Sequence, residues 1–251
     1  MIYILIPIFA VVVFIIIYLR LYLHLCPRKR LPILMYHHVL PQADKNLTVS
    51  VEELDKQFRY LKNKGYKTLF FRELEENESL KKKIILTFDD GYRNNKEYLI
   101  PLLKKYNLKA TIFLPTAQLE ADDDKMGFEE LHTVDINHIE FALHSHSHQN
   151  FRNISLNEVD EDIEANIRSM ENSGLPYSKV LAYPFGKYPK ENNQQFFDIL
   201  EKYKIDCALR IGNKIDSYPF RNKYEVHRID IKGADNMKIF TMKLIFGRFR
   251  F

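Results

Sequence analysis

The chain alternates short, wholly apolar runs with longer stretches in which apolar residues recur every three or four positions. "ILMYHHVL" reads as a short buried strand ending in polar residues, and "SVEELDKQFRYLKNKG" as a helix. In that helix Ser50 and Glu53 have capping-box spacing, Val51, Leu54, Phe58 and Leu61 share one face, and Gly65 is the stop. "IILTFDD" is an apolar run ending in acids, the pattern of a strand buried on both faces. A helix at "NKEYLIPLLKKYN" and a strand at "KATIFLPT" follow. Further helices at "SLNEVDEDIEANIRSMENSG" and "PKENNQQFFDILEKYK" are each followed by a strand, "KVLAYPFG" and "DCALRIG". Strands alternating with helices predict an α/β fold with a mainly parallel sheet. In such folds the active site is lined by residues just past the strand C-terminal ends. "FDDG", "LHSHSH" and "YPFG" all sit at such ends. No internal repeat or low-complexity tract interrupts the pattern.

Residues 1–19 break it, being apolar throughout and uncharged up to Arg20. At about 1.5 Å per residue they would span ~28 Å, close to a bilayer's hydrocarbon thickness. A basic leader and a small-residue cleavage site are both missing, so residues 1–20 are expected to be an uncleaved transmembrane anchor, with Pro7 near one end. Residues 21–30 read as a basic juxtamembrane linker and 31–251 as the catalytic domain. The net charge of +4 resides in Arg20, Arg28, Lys29 and Arg30; residues 31–251 carry 33 basic and 33 acidic residues. The cluster reads as a membrane flank and a contact for anionic headgroups. The balanced remainder gives no nucleic-acid footprint, and nothing points to a protein partner. Two cysteines, Cys26 and Cys207, provide no disulfide framework.

The candidate chemistry lies in "HSHSH" and "TFDDG". If the first turns helically, His144 and His148 face one way and His146 another; if extended, all three share a face. Adjacent carboxylates at a strand end repel unless a cation neutralises them. One aspartate and two histidines are a ligand set for catalytic zinc that leaves positions open for water and substrate. The competing reading of Asp89-Asp90-Gly91 is an ordinary turn.

"LTFDDGY", "EFALHSHSHQNF" and "AYPFGKY" resemble, in order and spacing, the first three motifs of the polysaccharide deacetylase family, the carbohydrate esterases with NodB homology. The resemblance covers about residues 31–232 and implies a distorted (β/α) barrel. It makes Asp89 the catalytic base and Asp90, His144 and His148 the ligands of a divalent metal, zinc first among them. His146 falls at a variable position, and Ser145 helps hold the loop. Phe185 matches the residue whose backbone N–H polarises the acetyl oxygen. Ala182 stands where the family has an arginine that partners the base, and Arg228 in "VHRID" is the candidate substitute. The family's C-terminal Leu-x-His is missing; "LMYHHV" resembles instead the branch of poly-N-acetylglucosamine deacetylases, whose acid histidine precedes the first motif. That makes His37 the acid, with His38 structural and His227 outside the machinery.

The activity implied is metal-dependent hydrolysis of N-acetyl groups from a glycan. Its rivals are a deacylase of lipid-linked or O-acetylated sugar and a membrane-tethered carbohydrate-binding pseudoenzyme. Phosphatase chemistry on paired aspartates would need an Asp-x-Asp spacing, which the adjacent pair Asp89-Asp90 does not have. Tyr92, Tyr183 and Tyr188 in the motif loops are candidates for stacking on sugar, since tryptophan is absent. The resemblance places the domain outside the cytoplasmic membrane, whereas the basic flank after the anchor would hold it inside; the extracytoplasmic placement is the expectation carried forward.

Overall fold

The computed structural model describes residues 6–7, 9–14, 29–44, 46–191 and 193–247. Seven parallel strands dominate: β1 (Ile33–Tyr36), β2 (Lys83–Phe88), β3 (Ala110–Leu114), β4 (Ile139–Leu143), β5 (Tyr177–Ala182), β6 (Cys207–Ile211) and β7 (Val226–Asp230). Each pairs with the next in sequence, and β7 returns to β1 through Ile229↔Leu34, so the sheet closes into a barrel. A two-residue strand, Lys67–Thr68, adds to the base of β2. Both faces of the barrel are covered, which is why its strands are almost continuously apolar.

Alternation along each strand sorts side chains into two cores. Ile33, Ile85, Phe113, Ala142, Val180, Ala182, Leu209 and Val226 form the interior cluster. Leu34, Leu86, Ile112, Phe141, Leu181 and Ile229 face outward to the helices. Those helices are α1 (Val51–Asn63), α2 (Ile100–Tyr106), α3 (Phe128–Leu131), α4 (Leu156–Ser173), α5 (Asn193–Lys202) and α6 (Met237–Phe246). The Ser50 side chain caps α1 by accepting from Glu53 N, and α4 carries a full Ser155/Glu158 capping box with Gly174 as its left-handed stop. At the base of the barrel the fully buried Glu140 carboxylate accepts from Phe71 N, Thr111 Oγ1 and Ser178 Oγ, so the floor is closed by satisfied polar groups.

Two details depart from the sequence pattern. The stretch expected as one helix from Asn95 starts as a π turn, Asn95–Leu99, before α2. Pro101 cannot donate to the preceding turn and its ring crowds the carbonyl there, which accounts for the widening. Helix α6 was not foreseen because "MKIFTMKLIF" is apolar on most sides and shows no helical stripe.

The expected membrane anchor is corrected. Among the described residues no helix is long and apolar enough to cross a membrane. Within residues 1–20 only 6–7 and 9–14 are described, and these positions are helical. The rest of the expected anchor, and residues 21–28 of the linker, lie outside the described residues. Arg30, read as part of a membrane flank, pairs with Ser217 in a short antiparallel ladder. Its guanidinium donates to Leu244 O and Ile245 O, both at 2.5 Å, where the C-terminal carbonyls of α6 need partners. A single-pass membrane localisation, on either side, is therefore not carried further.

Candidate active site

The interior register of the barrel brings the polar residues together. Ile33, Met35 and His37 alternate along β1 and past its end, and Ile85, Thr87 and Asp89 do the same on β2. Ala142 and His144 continue the interior row of β4, and Val226 and Arg228 that of β7. His37, Asp89 and His144 each fall just past the C-terminal end of their strand, and Arg228 lies within β7.

Asp89 is the hub. Arg228 grips it with a two-pronged pair, Nη1 to Oδ1 at 2.6 Å and Nη2 to Oδ2 at 2.7 Å. Arg228 is itself fully buried, with Nη1 also 3.3 Å from Thr87 Oγ1 and the guanidinium 5.4 Å from the Phe113 ring centroid. His37 Nε2 stands 3.8 Å from Asp89 Oδ2, and His144 Nε2 4.0 Å from it. Burial works to raise the Asp89 carboxyl pKa, but Arg228, His144 and His37 outweigh it and hold it below the ordinary value. Asp89 is thus an ionised, oriented proton acceptor.

Asp90 would point outward by strand alternation, but its φ of +73° turns it back. Gly91 makes that turn possible: its φ is +63°, and a Cβ there would sit 2.8 Å from Leu114 Cδ2. Asp90 Oδ1 then lies 3.1 Å from His148 Nε2 and 3.4 Å from His144 Nε2. Burial pushes Asp90 upward, and the two histidines reverse this and pull its pKa far down. The "HSHSH" stretch is neither helix nor extended strand. Left-handed residues at Ser145 (φ +66°) and His148 (φ +58°) fold it so that the first and last histidines converge. Ser145 Oγ accepts from His148 N at 2.8 Å, as expected of a loop-holding serine. His146 turns away to Thr116 Oγ1, at 2.9 Å.

These three donors suit a divalent cation. One oxygen or nitrogen from each of Asp90, His144 and His148 lies within 4.8 Å of the others. His144 Nδ1 donates to Ala182 O at 2.7 Å, which fixes the ring with Nε2 aimed at Asp90, where that nitrogen can carry a proton or give its lone pair to a cation. Asp90 Oδ1 is buried and makes no hydrogen bond. Two imidazole nitrogens and a carboxylate oxygen crowded this closely need a positive charge between them.

Phe185 occupies a short 3₁₀ turn with φ +58°, its side chain 56% exposed and its ring 5.1 Å from that of His148. The tyrosines proposed for sugar stacking are not available for it. Tyr183 is fully buried and donates to Tyr224 O at 2.9 Å; Tyr188 is buried against Phe196 and bonded to Glu225. Tyr92 has one face under Lys125 Nζ (3.4 Å) and the other on the His38 ring (3.5 Å). The exposed aromatic at this rim is Phe185.

Among the remaining histidines, His38 is tied to Asn94, whose Oδ1 accepts from Val39 N. His227 is paired with Asp216 at 3.0 Å, with no contact to Asp89 or Asp90. The sequence reading missed Asp162, from α4, which accepts from His146 N (2.7 Å), Ser147 N (2.9 Å) and Ser147 Oγ. Its only sequence signal is an acid on the buried face of an otherwise amphipathic helix.

The polysaccharide deacetylase family model matches residues 76–196, which hold Asp89, Asp90, His144, His148 and Phe185. The chain carries a polysaccharide deacetylase domain. It is 25% identical over 204 residues to the poly-beta-1,6-N-acetyl-D-glucosamine N-deacetylase of Staphylococcus aureus (strain N315), covering 74% of this chain and 68% of that one. YxkH of Bacillus subtilis (strain 168), a protein carrying the same family's name, is 26% identical over 167 residues, 64% of this chain and 59% of its own length. The chain thus matches about three fifths of that relative. The fold is that of the Streptococcus pyogenes deacetylase PplD in complex with acetate, with a TM-score of 0.76 at 22% identity over 85% of this chain and 97% of the other. IcaB from Ammonifex degensii gives a TM-score of 0.68 at 18% identity, over 88% and 98%. His37 and Arg228 lie outside the family match, and the barrel delivers them to it from β1 and β7.

Proposed function

We propose that this protein is a metal-dependent hydrolase that removes N-acetyl groups from an N-acetylated glycan, releasing acetate and a free amino sugar. The observation that carries this reading is the Asp89–Arg228 pair set directly beside the Asp90, His144 and His148 donors. A module that only bound carbohydrate would have no use for a buried, oriented base next to a ligand carboxylate. The similarity to the staphylococcal deacetylase favours an N-acetylglucosamine polymer as the substrate.

Asp90, His144 and His148 are the residues that would hold the metal, and a set of two imidazoles and one carboxylate suits zinc. When bound, a divalent cation supplies Lewis acidity towards the acetyl carbonyl and makes water a stronger acid. Asp89, ionised and fixed by Arg228, takes the proton of the attacking water. The Phe185 backbone N–H is the donor for negative charge gathering on the acetyl oxygen. His37, whose Nε2 stands 3.8 Å from Asp89 Oδ2, gives a proton to the leaving nitrogen as the carbon–nitrogen bond breaks, a step worth about 10²–10⁴-fold for a well-placed acid.

Acetate release from poly-N-acetylglucosamine oligomers tests the reading. Turnover is expected with zinc, to disappear after dialysis against a chelator and to return when zinc is restored. Undiminished turnover in metal-free protein refutes it.

A further inference from the structure

The two central residues of the metal loop, His146 and Ser147, contribute no ligand, yet one carboxylate binds both. Asp162 is 9% exposed and projects from the second turn of α4. Its Oδ1 accepts from His146 N at 2.7 Å, and its Oδ2 from Ser147 N at 2.9 Å and from the Ser147 hydroxyl. Four residues on along the same face, Asn166 Nδ2 donates to Leu114 O at 3.2 Å and to Thr116 Oγ1 at 2.9 Å. Thr116 Oγ1 in turn meets His146 Nδ1. The segment so held lies between the left-handed residues Ser145 and His148. Such backbone conformations cost about 1–3 kcal/mol each and persist only where the surroundings enforce them. Without its anchor the segment would relax, and His148 would swing away from Asp90 and His144.

We infer that Asp162 is a positioning residue for the metal centre, fixing the distance between His144 and His148 through the backbone of the two residues between them. This rests on the reading of Asp90, His144 and His148 as ligands. Ser147 belongs to the same device, since its hydroxyl supplies the third bond to Asp162.

Zinc titration of the full chain against a competing chelator, with thermal melts of the metal-free protein, tests the inference. Asp162→Asn keeps the size but turns an amide N–H₂ toward N–H donors; it is expected to weaken zinc binding about 10–100-fold, as loss of a group that orients metal ligands typically does. Ser147→Ala, which removes one bond of three, is expected to weaken it by less, and it decides the matter should Asp162→Asn fail to fold. Unchanged zinc affinity in the folded variants overturns the inference, and so does a loss confined to the stability of the metal-free form. His144→Ala in the same titration separates the two levels. If that variant binds zinc like the native protein, the ligand assignment itself fails; if it loses zinc while Asp162→Asn does not, only the role of Asp162 falls.

Discussion

Replacing Arg228 with methionine tests the hub of the site most sharply. The substitution keeps a long apolar stem against Phe113 but leaves the Asp89 carboxylate buried without its guanidinium. Breaking a buried pair by removing one partner costs about 3–5 kcal/mol, because the surviving charge has lost both solvent and counter-charge. At roughly 2–4 °C per kcal/mol for a domain of this size, the melting temperature at neutral pH should drop by about 6–20 °C. The pH dependence gives the sign. Asp89 is held below its ordinary value, so in the native protein it contributes stability above the unfolded pKa of about 3.9, lost as pH falls through the lower folded pKa. In the variant burial is opposed only by His144 and His37, so Asp89 rises from its native position and its penalty is greatest at neutral pH and shrinks on acidification. The gap between the two melting curves should therefore close as pH drops below about 4. The acidic limb of the pH–rate profile should move upward in the variant, since the base must be ionised to act. Arg228→Lys should rescue only part of this, having charge but no fork. A melting temperature within a degree or two of native, with an unmoved acidic limb, would refute the assignment of Arg228 as the partner of the base.

Two further outcomes follow from the contacts. His37→Ala should retain zinc in a binding titration yet lose about 10²–10⁴-fold in turnover, while His227→Ala, whose ring is engaged by Asp216, should leave turnover near native; the reverse ranking would move the acid to the C-terminal histidine. Burial pushes the Cys207 thiol far above its ordinary value, so alkylation mapped by mass spectrometry at neutral pH should spare Cys207 in the folded protein and reach it only after denaturation; rapid labelling of the native form would contradict its place in the barrel interior.

The alternation of strands and helices was legible because the strands are buried on both faces and the helices on one, so period and run length distinguish them, whereas closure into a barrel was implied only by the family resemblance. Asp89, Asp90, His144 and His148 were legible because strand ends collect chemistry in parallel α/β folds. His37 and Arg228 also lie in an interior row, at every second residue from Ile33 and Val226. What could not be read was local backbone hand and long-range reach. Nothing in "HSHSH" announces left-handed Ser145 and His148, and Asp162, which binds the two residues between them, sits on another element. The apolar N-terminal run reads as a membrane span on composition alone, yet no helix among the described residues is long and apolar enough to be one.

The position of Arg228 shows what the chemistry fixes and what it leaves free. Ala182 and Arg228 belong to β5 and β7, yet Ala182 lines the same interior cluster as Phe113, on whose ring the guanidinium rests. Ala182 offers no charge to Asp89, and the fork comes instead from β7. In a closed barrel every interior row meets at the rim, so a positive charge can be supplied to one carboxylate from several strands. The requirement is electrostatic: Asp89, buried beside Asp90, must stay ionised, and burial alone would protonate it. Any strand able to place a planar, permanently charged donor pair on Asp89 satisfies that requirement, whereas the ligand role tolerates no such exchange. In the proposed reading Asp90, His144 and His148 converge on one point from the loops after β2 and β4, which are shaped by the left-handed residues Asp90, Ser145 and His148.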